Sequence, residues 1–161
     1  MALLNIIKEG DETLRRVSRP VDTVTPRIKT LIDDMRETLA EADGVGLAAP
    51  QVGVLRRIAL VVDTSDNDRV YELINPEIIE REGEQEELEG CLSVPGKWAI
   101  THRPMRVTVR ATDRDGNEFT VTGEGLTARA FCHEIDHLSG KLFTDDAVHI
   151  LTPDEVREIM G

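Results

Sequence analysis

The chain has 161 residues, with 19 Lys and Arg against 31 Asp and Glu, a formal charge of −12. That length predicts one domain over residues 1–161, able to bury a core without disulfide staples. The acidity argues against DNA as a partner, because phosphate neutralisation needs clustered Lys and Arg, though it leaves room for a brief encounter with a nucleoprotein particle.

Hydrophobic residues make up 40% of the chain and aromatics only 3%, so aliphatic side chains must fill the core. No run approaches the ~18–20 apolar residues of a membrane span. The opening Met1-Ala2-Leu3-Leu4-Asn5-Ile6-Ile7-Lys8 has neither the basic lead nor the apolar run of a signal peptide, so a cytoplasmic protein is expected. Two cysteines in such a chain point away from a disulfide framework and toward a metal ligand, a reactive thiol or a small buried hydrophobe.

The first predicted helix is capped by Thr25, with Pro26 at its first position. Ile28, Leu31, Ile32, Met35 and Leu39 then form one apolar stripe. Its end is expected near Asp43-Gly44, where the glycine can take a positive φ. A glycine-bearing loop follows, Gly44-Val45-Gly46-Leu47-Ala48-Ala49-Pro50-Gln51. Strands are predicted over 57–62, over 71–74 and 77–79 on either side of an Asn75-Pro76 turn or edge, and over 105–112. Asp115-Gly116 reads as a hairpin turn into a strand over 118–122. Short connections favour antiparallel pairing.

A second helix is predicted from about Gly125 to Leu138, with Ala128, Phe131, Cys132, Ile135 and Leu138 on its apolar side and Gly140 as its stop. A last short helix starts at Thr152-Pro153-Asp154-Glu155, a capping box. Strands bracketed by helices without repeating β-α-β units give an α+β fold. Short antiparallel sheets should pack around the second helix, with an N-terminal helix and a short C-terminal one.

The second helix carries His133-Glu134-Ile135-Asp136-His137, which fits H-E-x-x-H. Four residues advance ~400°, so both imidazoles fall within ~40° of each other, one turn apart, placed to hold one metal ion. Glu134, beside the first ligand, can reach a water on that metal. Two adjacent buried imidazoles without a ligand would be costly.

A hydrolytic metal site needs a third protein ligand and an open position for water. The metzincin pattern matches at Gly140 but fails at Phe143, where it requires His. A small zinc peptidase would instead draw on Glu155 or Glu158. The upstream segment Glu89-Gly90-Cys91-Leu92-Ser93-Val94-Pro95 offers a thiolate, and a Cys-His-His set suits a tetrahedral divalent site with water as fourth ligand. The 44–49 loop superficially fits a dinucleotide fingerprint. It follows a helix rather than a strand, however, and Pro50 interrupts any helix it could open. Its backbone is better suited to lie against an extended peptide, with Gln51 as an amide donor to an oxyanion. His102 and His149 have no motif partners and read as surface or packing residues.

Three segments together, G-V-G-L-A-A-P-Q at 44–51, E-G-C-L-S at 89–93 and H-E-I-D-H-L-S-G at 133–140, resemble the signature motifs of peptide deformylases in order and separation. Asp11-Glu12-Thr13-Leu14-Arg15 with Pro20-Val21 is similar to that family's opening segment, with Glu12 in place of its usual Pro. The resemblance spans about Ile6 to Asp145. It implies a metal-dependent hydrolase that removes the N-formyl group from the initiator methionine of nascent polypeptides at the ribosome and releases formate.

Position by position, the resemblance implies Cys91, His133 and His137 as metal ligands and Glu134 as general acid/base. Gln51 and the Leu92 N–H are implied as oxyanion donors. Gly46 and Gly90 fall where the substrate backbone pairs, and Val45, Cys132 and His133 match positions beside the methionine side chain. The implied physiological metal is Fe(2+), with Zn(2+), Ni(2+) or Co(2+) able to occupy the site. Trp98 stands where many relatives carry Arg, as an apolar lid or as plain packing. The short acidic C-terminus lacks a Lys/Arg-rich helix, so direct docking of the tail on ribosomal RNA is not expected. A monomer is expected.

Overall fold

The computed structural model describes residues 2–161. Helix α1 runs Pro26–Ala42, α2 Leu126–Leu138 and α3 Pro153–Met160. The strands are β1 Gly46–Ala48, β2 Ile58–Asp63, β3 Arg69–Glu82, β4 Gln85–Glu89, β5 Ala99–Arg103, β6 Arg106–Thr112, β7 Glu118–Glu124 and β8 His149–Ile150. They form a five-stranded sheet in the order β1-β2-β3-β6-β7 and a three-stranded sheet in the order β4-β5-β8. Every named pairing is antiparallel. This is the expected α+β architecture, and α2 touches strands of both sheets.

Helix α1 begins as its sequence dictates: the Thr25 hydroxyl accepts from the Ile28 N–H at 3.3 Å, with Pro26 at the first position. Its end departs from expectation. Asp43, not Gly44, takes the left-handed conformation, at φ 53°. Asp is one of the few side chains that tolerate this region. Ile32, Met35 and Leu39 enter one aliphatic cluster with Leu47, Ile58, Leu60 and Ile74. Each such side chain, fully buried, contributes roughly 1.5–3 kcal/mol.

The predicted break at Asn75-Pro76 is instead an irregularity inside one continuous strand, with a register shift between Ile74 and Glu77. Asn75 adopts φ 52°, and Pro76, which has no N–H to donate, sits within the shift. The freed Asn75 amide binds Val21 twice, at 2.8 Å to its N–H and 2.8 Å to its C=O, and so ties the N-terminal segment to the sheet. The sequence reading also missed β1, β4, β5 and β8. In β4 the inward positions are Gln85 and Glu89, so no apolar alternation marks the strand.

Helix α2 packs Ala128, Phe131 and Cys132 against Val61, Leu73, Val107 and Val109 of the five-stranded sheet. Its other side buries Arg129, His133, Glu134 and His137. The chain leaves it through Ser139 and Gly140, the latter at φ 76°. Helix α3 has the expected capping box between Thr152 and Glu155. No helix among the described residues is long and apolar enough to cross a membrane.

Candidate active site

One face of α2 brings His133 and His137 together, their ring centroids 4.9 Å apart. The turn after β4 carries Cys91 to the same point, with its Sγ 3.4 Å from His137 Nε2. One donor atom from each of the three lies within 4.8 Å of the others. Ligands at ~2.0–2.3 Å from a tetrahedral ion lie ~3.3–3.7 Å apart, so this soft-plus-imidazole set fits a single divalent cation. The alternative third ligand is set aside. Glu155 caps α3 at Thr152 and pairs with His149. The Cys91–His133–His137 cluster contains neither Glu155 nor Glu158.

Behind the ligands stands a buried polar network. His133 Nδ1 contacts Glu89 Oε2 at 2.6 Å, which leaves Nε2 for an ion. Glu89 also accepts from Thr101 at 2.7 Å and from Arg103 at 2.8 and 3.2 Å, and Arg103 reaches Asp136 at 2.7 Å. Burial works to raise the Glu89 carboxyl, but hydrogen bonds from His133 and Arg103 outweigh it and hold the group well below the carboxylate range. A charged Glu89 orients the imidazole and raises its basicity toward a metal. Sequence reasoning quoted Glu89 inside its motif without a role and missed Arg103. The usable signal was a Glu two residues before the ligand Cys; nothing local to β5 marks Arg103.

Glu134 is 3% exposed, and its Oε1 has no hydrogen-bond partner among the described residues. Burial raises its carboxyl to about 7. The β1 backbone passes so close that a Cβ on Gly46 would overlap the Glu134 carboxylate and lie 2.8 Å from its Cδ. Only glycine admits both groups.

Gln51 is held by a 3-10 turn, Ala49–Val52, which folds its amide back on the chain. Its Oε1 accepts from the Ala48 N–H at 2.9 Å. That fixes the amide orientation, so Nε2 donates to Ser93 Oγ at 3.1 Å and lies 3.7 Å from Cys91 Sγ. In the adjacent turn the Val94 N–H bonds the Cys91 C=O at 3.0 Å.

A cavity of about 470 Å³ opens beside these groups, lined among others by Val45, Gly46, Gln51, Gly90, Cys91, Leu92, Trp98, Leu126, Ala130, His133 and Glu134. The Trp98 ring covers Gly90: a Cβ there would meet it at 2.5 Å. Cys132 is the exception among the expected substrate-facing residues. It does not line the cavity but packs in the α2–sheet core, and burial pushes its thiol up to about 11. The helical period explains this: Cys132 lies ~100° from His133, and Ala130 and Arg129 take the cavity wall instead. Arg129 was missed. It stands one turn before His133 and breaks the otherwise apolar run of the helix.

His102 is exposed beside Glu84 and Glu86, and His149 is exposed beside Glu155, as expected for residues outside the site.

The family model of polypeptide deformylases matches residues 3–152. A peptide deformylase of Acetivibrio thermocellus is 55% identical over 156 residues, 97% of this chain and 90% of that protein. The crystal structure of a peptide deformylase from Legionella pneumophila superposes with a TM-score of 0.86 at 44% identity, covering 98% of this chain and 91% of that one. The structure of a peptide deformylase from Thermus thermophilus gives 0.84 at 42% identity, covering 98% and 91%. A family match over nearly the whole length, on a fold with the same three motifs converging at one point, places the chain in the polypeptide deformylase family.

Proposed function

We propose that this chain removes the N-formyl group from N-formylmethionyl nascent peptides, using one divalent ion held by Cys91, His133 and His137. The observation that carries the reading is the convergence of those three donors within 4.8 Å, next to a buried glutamate with an unpaired oxygen. When bound, the ion acidifies a water and polarises the formyl carbonyl.

The chain's own residues do the rest. Glu134, with its carboxyl near neutrality, takes a proton from the attacking water at Oε1 and delivers it to the departing amine. The C–N bond breaks, and formate and a free N-terminus leave. Gln51 Nε2, pre-aimed by the Ala48 N–H, and the Leu92 N–H donate to the formyl oxygen as it gains charge. Among the described residues strand β1 pairs with β2 alone, so the other edge of Gly46 can add the substrate backbone as a further strand, with Gly90 facing it. Val45, Leu126, Ala130 and His133 wall the space for the methionine side chain. Trp98 roofs the Gly90 end of the same cavity.

Fe(2+) is the proposed ion in the cell, with Zn(2+), Ni(2+) or Co(2+) as substitutes. A thiolate beside a redox-active metal makes oxygen sensitivity the expected sign of iron. A cytoplasmic monomer meeting its substrate at the ribosome completes the proposal.

The test is formate release from a formyl-Met tripeptide by anaerobically purified protein. Release should fall ~10²–10⁴-fold in Glu134→Ala while metal stoichiometry stays at one. No release from the unaltered protein, or unchanged release in the variant, overturns the reading.

A further inference from the structure

We propose that the short N-terminal stretch 7–9 is a positioning strap that sets the spacing of the two oxyanion donors, Gln51 Nε2 and the Leu92 N–H. The inference rests on the proposed function and deepens it.

The two donors sit on separate segments. Gln51 lies in the 3-10 turn after β1, and Leu92 in the turn after β4 that the Val94 N–H closes on the Cys91 C=O. Those strands belong to different sheets, so no ladder fixes the gap between the donors. The strap bridges it. The Ile7 N–H donates to the Gln51 C=O at 2.7 Å, and the Glu9 N–H donates to the Ser93 C=O at 2.7 Å. Two residues of chain span at most about 7 Å, so the strap limits how far its two acceptors can separate.

A third contact closes the triangle: Gln51 Nε2 donates to Ser93 Oγ at 3.1 Å. That bond takes one amide hydrogen and leaves the second for the formyl oxygen. Gln51 and Ser93 are 1% and 0% exposed, so a lost strap bond leaves a carbonyl unpaired on a buried residue, a cost that drives the segment to shift. The strap has its own anchors. The Leu4 N–H donates to Thr38 Oγ1 of α1 at 2.9 Å, and Ile7 packs, as Cys91 does, against the cluster of Leu14, Val94 and Phe143.

The test replaces the Ile7 or Glu9 amide by an ester, the residue entering as its α-hydroxy acid, which deletes one N–H and keeps the side chain. Misplacing a group by ~1 Å can cost ~10²-fold, so each ester should lower kcat for a formyl-Met tripeptide ~10-fold or more per metal-loaded molecule, with KM within about 3-fold. An ester at Lys8, whose N–H makes no backbone bond to either segment among the described residues, should leave both constants unchanged. Binding separates positioning from general loosening. In the Ile7 and Glu9 esters, affinity for a peptide with a tetrahedral phosphonate in place of formyl should fall ~10-fold or more, while affinity for the deformylated tripeptide holds within about 3-fold. The Ile7 bond acts through Gln51, so in Gln51→Ala the Ile7 ester should cost less than about 3-fold.

The unaltered enzyme supplies a measurement that needs no variant to fold. With each ligand at the same multiple of its Kd, global unfolding is suppressed equally by both. The phosphonate should nonetheless slow hydrogen exchange at the Ile7 and Glu9 amides more than the product does, because coupling between strap and donors is reciprocal. Equal protection overturns the inference. So does a kcat that moves in neither ester, an equal loss of phosphonate and product affinity, or a full Ile7-ester loss in Gln51→Ala. An unaltered enzyme that releases no formate would sink the proposed function instead, so the two failures are distinguishable.

Discussion

Helices α1 and α2 pack against the same five-stranded sheet, but they bury different chemistry. Helix α1 inserts Ile32, Met35 and Leu39 into an aliphatic cluster and turns Asp33 and Arg36 outward, where they pair with Arg114 and Glu72. Helix α2 gives one side to an aliphatic cluster and the other to Arg129, His133, Glu134 and His137. The first helix stabilises; the second carries buried polar groups whose desolvation must be offset by partners. Glu89 is that partner for His133, and Arg103 for Glu89. His137 Nδ1, Glu134 Oε1 and Arg129 Nη1 have none among the described residues. Two further buried side-chain atoms among the described residues lack a partner, Ser18 Oγ and Glu37 Oε2, the latter on α1, so α2 carries most of these groups rather than all of them.

The division of labour can be broken at either helix. Met35→Ala should lower stability by about 2–5 kcal/mol by leaving a cavity, measured by denaturant unfolding. Its kcat per folded molecule should stay unchanged, and a kcat that falls in step with stability would show that α1 is not merely a support. Gln51→Ala should act in the opposite sense, cutting kcat ~10²–10³-fold by removing an oxyanion donor. A loss confined to KM would remove Gln51 from that role.

Glu89→Gln keeps the side-chain volume but removes the charge facing His133 and Arg103. Metal affinity, read by competition with a chelator, should drop ~10–100-fold, the usual cost of losing such a partner. Unchanged affinity would reduce Glu89 to a structural ion pair with Arg103. The smallest effect is expected far from both helices: Thr152→Ala removes the α3 cap and should cost about 1 kcal/mol in unfolding with kcat/KM unaltered. A change in kcat/KM there would couple the C-terminal helix to the site.

Helices were legible in the sequence because period and caps agree: Thr25 with Pro26, and Thr152 with Glu155, mark starts that the structure keeps. The longer strands with inward apolar residues, β2, β6 and β7 and parts of β3, were legible too, whereas the three-residue β1 was read as loop. β4 was not, because its buried side chains are Gln85 and Glu89 and carry no hydrophobic signature. The Asn75-Pro76 signal reads locally as a break, since turn chemistry cannot reveal that sheet partners on both sides carry the strand through.

In the site, the H-E-x-x-H pair needed only helical geometry, because one turn of helix fixes two side chains on one face whatever surrounds them. Motif position alone puts Cys132 on the cavity, and the same helical rotation turns it into the core.

What the sequence by itself determined, then, is the local content: where helices begin, which helix bears the two imidazoles, and which motifs accompany them. Only the tertiary structure decided which distant groups meet those imidazoles. Cys91, Glu89, Arg103 and Gln51 come from separate strands and turns, and their convergence depends on sheet register and packing rather than on any short-range spacing. The same is true of the unpaired arm of Arg129. A donor's lack of a partner is a property of everything packed around it, and no local pattern of residues encodes that.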